Sequence, residues 1–180
     1  FYILAGFLRK RIKSNESALK YFLLGAFMTG FLLYGISLIY GVTGSMSYGK
    51  LLSDPTVLKS PVFLIGSALF IIGFFFKMGL FPFHLWVPDV YEGAPTSVAA
   101  LFSTGGKAAA FSAIIATLFA LFNSGGQGNF FTPFLAVISV LSMFYGSIVA
   151  IAQDNIKRML AYSSISNAGY LIIGLAAGNY

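Results

Sequence analysis

The 180-residue chain has no cysteine, a single histidine, a single tryptophan and only five acidic residues. The absence of cysteine excludes thiol chemistry and any cysteine-ligated zinc or iron–sulfur centre in this chain. No GxGxxG follows a strand-like run, so a nucleotide or flavin fingerprint is missing as well. Charge is scarce. Charged residues make up 9% of the chain, against about 25% in soluble domains, so this is not a soluble domain. What fills the chain is apolar: 58% hydrophobic and 17% aromatic residues, with a mean hydropathy of +0.86. The apolar runs are continuous and do not alternate, which excludes a β-barrel and predicts several membrane-spanning helices.

The net charge is +6, but it does not point to nucleic acid. Four of the positive charges, Arg9, Lys10, Arg11 and Lys13, sit beside an apolar run, where they act as topology signals. The start on Phe1 in apolar sequence, without a signal-peptide pattern, and the stop at Tyr180 just past another apolar run are expected of a piece of a longer polypeptide.

In order, Phe1–Leu8 reads as the tail of a span and residues 9–17 as a basic polar loop. A first complete span follows at 18–40, with Ser14, Asn15 and Ser17 as candidate N-caps and Glu16–Lys20 as an i,i+4 pair. A polar loop with Lys50, Asp54 and Lys59 precedes a second, broken span at 62–92. Further spans are expected at 96–122, 130–152 and 160–176, separated by the turns NSGGQGN (123–129) and QDNIKR (153–158). The whole is one transmembrane domain. Six Lys and Arg residues lie in the connections at 9–17 and 153–158, which four spans separate, so both face the same side, cytoplasmic or the mitochondrial matrix.

Two lysines fall inside apolar sequence, Lys77 and Lys107, and between them lie Pro82, His84, Pro88, Asp89, Glu92 and Pro95. At 1.5 Å per residue, Lys77 is about 22 Å into its span and Lys107 about 16 Å into the next, near the middle of a roughly 30 Å hydrocarbon core. Charge at that depth marks an ion or proton path by default. Ser103, Thr104, Gly105 and Gly106 beside Lys107 leave room for water or hydroxyl partners. Pro82 offers no N–H to the Met78 carbonyl, and Gly79 loosens the same turn. The break is therefore expected to be a hinge and a water-accessible pocket.

Plainer readings stand beside these. Lys77 also fits an interfacial anchor, and His84 a hydrogen-bonded structural residue as well as a proton relay. Asp89 reads as a cap of the short broken helix, Glu92 as facing water, and Lys157 and Arg158 as topology signals. Lys20 could also reach inward by a turn. The methionines and phenylalanines read as packing or lipid-facing residues.

The blocks FKMGLFPFHLWVPDVYEGAPTSVAALFSTGGKAAAF and QDNIKRMLAYSSISNAGYLIIG, with NESALKYFLLGAF upstream, closely resemble the antiporter-like membrane-arm subunits of respiratory complex I, the proton-pumping NADH:quinone oxidoreductase. The VPDVYEGAPT form distinguishes one branch of that family from others that more often read LPDA. The resemblance covers nearly all of the chain. It implies an inverted-repeat antiporter-like fold of about fourteen helices, of which this stretch would run from the end of the fifth to the tenth.

Lys77 matches the lysine of the broken helix and Lys107 the central lysine of the next; in the family these carry protons along a hydrated axis. A glutamate that pairs with the first lysine is implied upstream of Phe1, and a further lysine or glutamate beyond Tyr180. Asn167 departs from the pattern, since several relatives have histidine there. The resemblance makes Lys77 and Lys107 the expected proton-transfer residues; the residues themselves add His84 as a candidate relay, with Glu16, Lys20, Ser103 and Asn167 as candidate accessories. This chain itself would hold no cofactor and no metal. NADH, flavin, iron–sulfur clusters and quinone are expected in partner subunits of the membrane-bound complex, and energy would come from quinone reduction there. The setting is a bacterial inner membrane or the equivalent organelle membrane. Two other readings stay open: a subunit of a multisubunit cation/proton antiporter that shares the fold, and an inert spacer of the membrane arm.

Overall fold

The computed structural model describes residues 1–47, 55–123 and 128–177; Lys50, Asp54 and most of the 123–129 turn lie outside them. The described chain is helical throughout. The helices are α1 Tyr2–Ala5, α2 Ile12–Thr43, α3 Pro55–Leu58, α4 Pro61–Met78, α5 Trp86–Gly93, α6 Thr96–Leu101, a π-helical turn Phe102–Gly106, α7 Lys107–Asn123, α8 Gly128–Ile151 and α9 Ile156–Ala177. Five stretches are long and apolar enough to cross a membrane: Ile12–Thr43, Pro61–Met78, Thr96–Thr117, Phe131–Ile151 and Ile156–Ala177.

Helix α2 begins at Ile12, inside the stretch expected to be a loop. Arg11 occupies the N-cap position without a side-chain bond, so none of Ser14, Asn15 and Ser17 caps the helix. Their side chains take other backbone partners. Ser14 donates to the Ala5 carbonyl, Asn15 to that of Arg9 and Ser17 to that of Ser14, each at 2.9 Å. The buried positions of α2 are Ser14, Ser17, Tyr21, Gly25 and Gly35, while Phe22, Leu23, Phe27 and Leu33 are exposed. This is the pattern of a helix in lipid, where small residues form the protein contact and large apolar ones face outward.

Helix α4 starts on a Ser60 cap, whose Oγ accepts from the Phe63 N–H at 3.1 Å, with Pro61 in the first turn. Its end corrects the sequence expectation. Gly79, at φ 71°, terminates it in the left-handed conformation, three residues before Pro82. The Leu80 N–H bonds back to the Phe75 carbonyl at 3.0 Å and the Gly79 N–H to that of Phe76 at 3.1 Å, a Schellman-type stop. The Phe81–Pro82 peptide is cis.

Two of the backbone groups at the break find partners within the protein: Trp86 Nε1 donates to the Phe76 carbonyl at 2.9 Å, and the Phe81 N–H donates to Ser142 Oγ at 3.0 Å.

The two most extensive helix contacts are α8 with α9 and α2 with α4; α5 lies against both α2 and α9. One apolar cluster joins Ile71, Phe75 and Met78 of α4 to Phe111, Ile114, Leu135 and Ile172. A second, around Tyr21, Trp86, Val87, Val90, Phe102 and Ile165, holds α5 in place. Tyr21 stacks on Trp86 at 4.6 Å between ring centroids.

Helices α8 and α9 meet at Gly146, where an added methyl would stand 2.7 Å from the Ser166 nitrogen and 2.8 Å from the Tyr162 oxygen. Backbone cannot move aside as a side chain can. Gly146→Ala is expected to cost about 1–3 kcal/mol by overpacking, read as a lower Tm in detergent. Gly30, also mid-helix, has nothing within 4 Å of such a methyl. Gly30→Ala should be neutral or stabilising by about 0.5–1 kcal/mol. Equal effects at the two sites would contradict this packing.

Candidate functional site: a buried lysine and an ion-pair cluster

Lys107 opens α7 directly after the π turn and is only 7% exposed. Its Nζ donates to the Ser164 carbonyl at 2.7 Å and to the Ser164 hydroxyl. Among the described residues no carboxylate pairs with it. The ammonium is therefore balanced by dipoles and not by a fixed charge. Lys107 lies on the wall of a cavity of about 600 Å³ with Tyr91, Ser103, Thr104, Lys157 and Asn167. Two expected accessory residues, Ser103 and Asn167, thus share its cavity. The Ser103 hydroxyl is held on the Ala100 carbonyl at 2.8 Å.

Lys77 is in the last turn of α4, half-buried. Its partner is Tyr2, a residue that the sequence reading passed over: Nζ points to the phenolic oxygen at 3.4 Å and lies 5.7 Å from the ring centroid. A separate cavity of about 320 Å³ surrounds it, lined by Tyr21, Trp86, Phe102 and Gly106 among others. The π turn is the wall between the two cavities. Phe102 and Gly106 face the Lys77 side, whereas Ser103 and Thr104 face the Lys107 side. A π-helical turn inside an α-helix is often found at a functional site; nothing in the spacing of FSTGGK announces it.

His84 is buried, with no hydrogen-bond partner for either ring nitrogen among the described residues. It packs on Tyr145, 4.6 Å between centroids, and on Phe81 at 5.5 Å. It lines neither lysine cavity. The reading of His84 as a hydrogen-bonded structural residue is therefore corrected: its environment is aromatic.

Glu16 and Lys20 form their i,i+4 pair at 2.8 Å, and Lys20 turns to Asp89 at 3.0 Å and not inward. They belong to a larger cluster. Arg158 Nη1 donates to Asp89 Oδ1 at 2.8 Å and to Glu92 Oε2 at 3.0 Å, and Lys13 reaches Glu92 Oε1 at 2.7 Å. Two readings change here and a third gains detail. Asp89 makes no cap: the N-cap position of α5 is Leu85, without a side-chain bond. Glu92, with its side chain 17% exposed, is paired and does not simply face water. Arg158 and Lys157 have structural partners, Lys157 Nζ donating to the Ala94 carbonyl at 3.0 Å. The pairs bring the start of α2, the end of α5 and the start of α9 to one end of the bundle, as the count of spans between the basic connections requires.

The chain is thus a polytopic membrane helix bundle with a discontinuous helix and, beside a cavity, a buried lysine with no carboxylate partner among the described residues. The family model described as NADH:quinone oxidoreductase/Mrp antiporter, TM, matches residues 1–180, and the chain belongs to that family.

The chain is 51% identical to the NADH-quinone oxidoreductase subunit N of Trichlorobacter lovleyi over 98% of its length and 37% of the relative's. It is 50% identical to the subunit N of Salinibacter ruber, again over 98% of this chain and 35% of the relative. Among solved structures, a chain of respiratory complex I from Thermus thermophilus with bound aureothin is similar at 41% identity and a TM-score of 0.81, over 99% of this chain and 37% of that one. The Mrp complex from a Dietzia species shares the fold at 24% identity and a TM-score of 0.83, over 92% of this chain and 30% of that one. The chain thus spans little more than a third of the length of the relatives it matches.

The ion-pair cluster carries a pH signature. Hydrogen bonds from Lys13 and Arg158 hold the Glu92 carboxyl below its ordinary 4.5. Burial acts to raise Asp89, but the bonds from Lys20 and Arg158 outweigh it and leave the group below its ordinary 3.8. Both groups bind protons more weakly folded than unfolded, so their contribution is complete above about pH 5 and is lost as pH falls through the folded values. Thermal stability in detergent is expected to drop on acidification below about pH 4, and Glu92→Gln should flatten that drop. An identical acid profile in wild type and variant would contradict the pairing.

Proposed function

We propose that this chain is part of a proton-translocating membrane subunit of NADH:quinone oxidoreductase, of the subunit N type, in a bacterial inner membrane or its organelle equivalent. It moves protons by way of Lys107, Lys77 and water while the redox chemistry takes place in partner subunits. NADH, flavin, iron–sulfur clusters and quinone belong to those partners, and this chain holds none of them. Its own partners are the other membrane-arm subunits and the lipid bilayer.

The observation that supports this most is the balance at Lys107. A buried amine holds or releases its proton according to desolvation and the charges and dipoles around it. Lys107 has two Ser164 oxygens and no carboxylate, so a modest change in its surroundings can alter its protonation. The cavity beside it is large enough for several waters, whose share of liquid volume is about 30 Å³ each. Lys77 offers a second such group next door, with a phenol and a ring face in place of an acid. The π-turn wall between the two cavities is where a proton passes from one lysine to the other. His84, flanked by aromatic rings, is the less supported member of the path.

Lys107→Ala in the complete complex, reconstituted in vesicles, is expected to reduce proton pumping at least tenfold with normal assembly. Unchanged pumping would reduce Lys107 to a structural part of a spacer. Lys77→Arg keeps the charge but hardly deprotonates. It should impair pumping severalfold, and full activity in that variant would make Lys77 an anchor only.

A further inference from the structure

Residues 157 and 158 grip the short helix α5 at two points. Arg158 bridges Asp89 and Glu92, one turn apart on α5, and Lys157 holds the Ala94 carbonyl just after its end. Between these grips α5 presents Tyr91, which is buried and lines the Lys107 cavity. Lys157 lines the same cavity. On α9, Arg158 lies six residues before Ser164, about 9 Å along the axis, and Ser164 is the partner of Lys107. One rigid helix therefore carries both the grip on α5 and the acceptor for the buried lysine.

We propose that Arg158 and Lys157 are positioning residues, forming a clamp that sets α5 against α9 and thereby fixes the shape and closure of the Lys107 cavity. The inference rests on the proton-path reading for its functional consequence, though not for its geometry.

The relative exposure of the cations decides which pairs carry the clamp. The Lys13 and Lys20 side chains are 76% and 47% exposed, and pairs of that kind are screened and worth little. Arg158 is 30% exposed and faces Glu92 at 17%, so its bridge is the least hydrated of the set. One Arg158 nitrogen, Nη1, serves both carboxylates. Removing Arg158 would leave two partly buried acids with only the exposed lysines of α2 as ion-pair partners, which weakens the hold of α9 on α5. The cluster otherwise balances, with Glu16, Asp89 and Glu92 set against Lys13, Lys20 and Arg158. Loss of the arginine also leaves it one charge short.

These 180 residues carry no cysteine, so labelling at an introduced one is read on the separated subunit against the same subunit without it. In the complete complex, Ser103→Cys places a reporter thiol in the Lys107 cavity. Its reaction with a membrane-impermeant methanethiosulfonate, added on the side of the basic connections, is measured alongside proton translocation per assembled complex. Arg158→Gln is expected to speed labelling at least threefold and to lower translocation severalfold, and Arg158→Lys to restore both. If Arg158→Gln impairs assembly, Asp89→Asn, which leaves Glu92 to Arg158, should show the same changes in weaker form.

An unchanged labelling rate in Arg158→Gln and Asp89→Asn overturns the clamp, whatever happens to pumping. Failure of Arg158→Lys to restore either readout also overturns it. Faster labelling with undiminished translocation upholds the clamp and instead removes the Lys107 cavity from the proton path.

Discussion

Everything in this bundle depends on satisfying backbone polar groups where a helix stops inside a membrane. Hydrocarbon offers no hydrogen bonds, and each group left bare there costs several kcal/mol. At the end of α4 the chain meets this with its own parts. Gly79 folds the last N–H groups back, the Trp86 indole takes the Phe76 carbonyl, and Ser142 of α8 takes the Phe81 N–H. These bonds tie the break to α8 on one side and to the aromatic cluster of Tyr21 and Trp86 on the other. The break is thus tied into its neighbours, and α5 follows it as part of the wall beside which a charged side chain is buried.

The placement of charge follows. Paired charges collect at one end of the bundle, where water and several partners share the cost of their burial. Lys77 and Lys107 lie deeper, and each has hydroxyl, carbonyl or ring partners in place of an acid. The division is physical: the charges at the end of the bundle have carboxylate partners, and the two deeper lysines have none among the described residues. The same bundle occurs in a chain of respiratory complex I and in the Mrp complex.

Much of this was legible in the residues. Continuous apolar runs disclosed the spans, and the two lysines stood out because lipid makes such residues expensive. The neighbours Ser103 and Asn167 were found by their proximity in sequence to Lys107 or to the α9 motif. The parts that escaped are those set by tertiary contact. Asp89 and Arg158 are 69 residues apart, and nothing local in VPDVYEG or QDNIKR says that they meet. Counting spans put the two basic connections on the same side but could not bring Asp89 within 3 Å of Arg158. Pro82 drew attention as the breaker because its chemistry is conspicuous, yet Gly79 does the work by a φ that only the backbone reveals. Ser14, Asn15 and Ser17 looked like caps because their residue types are right. The helix starts earlier, because Ser14 and Ser17 are buried there.

The π turn at Phe102–Gly106 has a consequence for phase. An α-helix advances about 100° per residue, and a π turn takes in one residue more than an α-helical turn. The faces of α6 and α7 are thereby out of step, which lets one continuous span present Phe102 to one cavity and Ser103 to the other. Removing a single residue from FSTGG would yield a more regular helix, of the same composition and hydropathy, that still crosses the membrane. Because the wide turn absorbs its extra residue, that deletion would leave Lys107 on nearly the same side of the axis relative to α6. What it would change is which of residues 102–106 line each cavity, so the π turn sets the make-up of the wall and not the direction of the lysine.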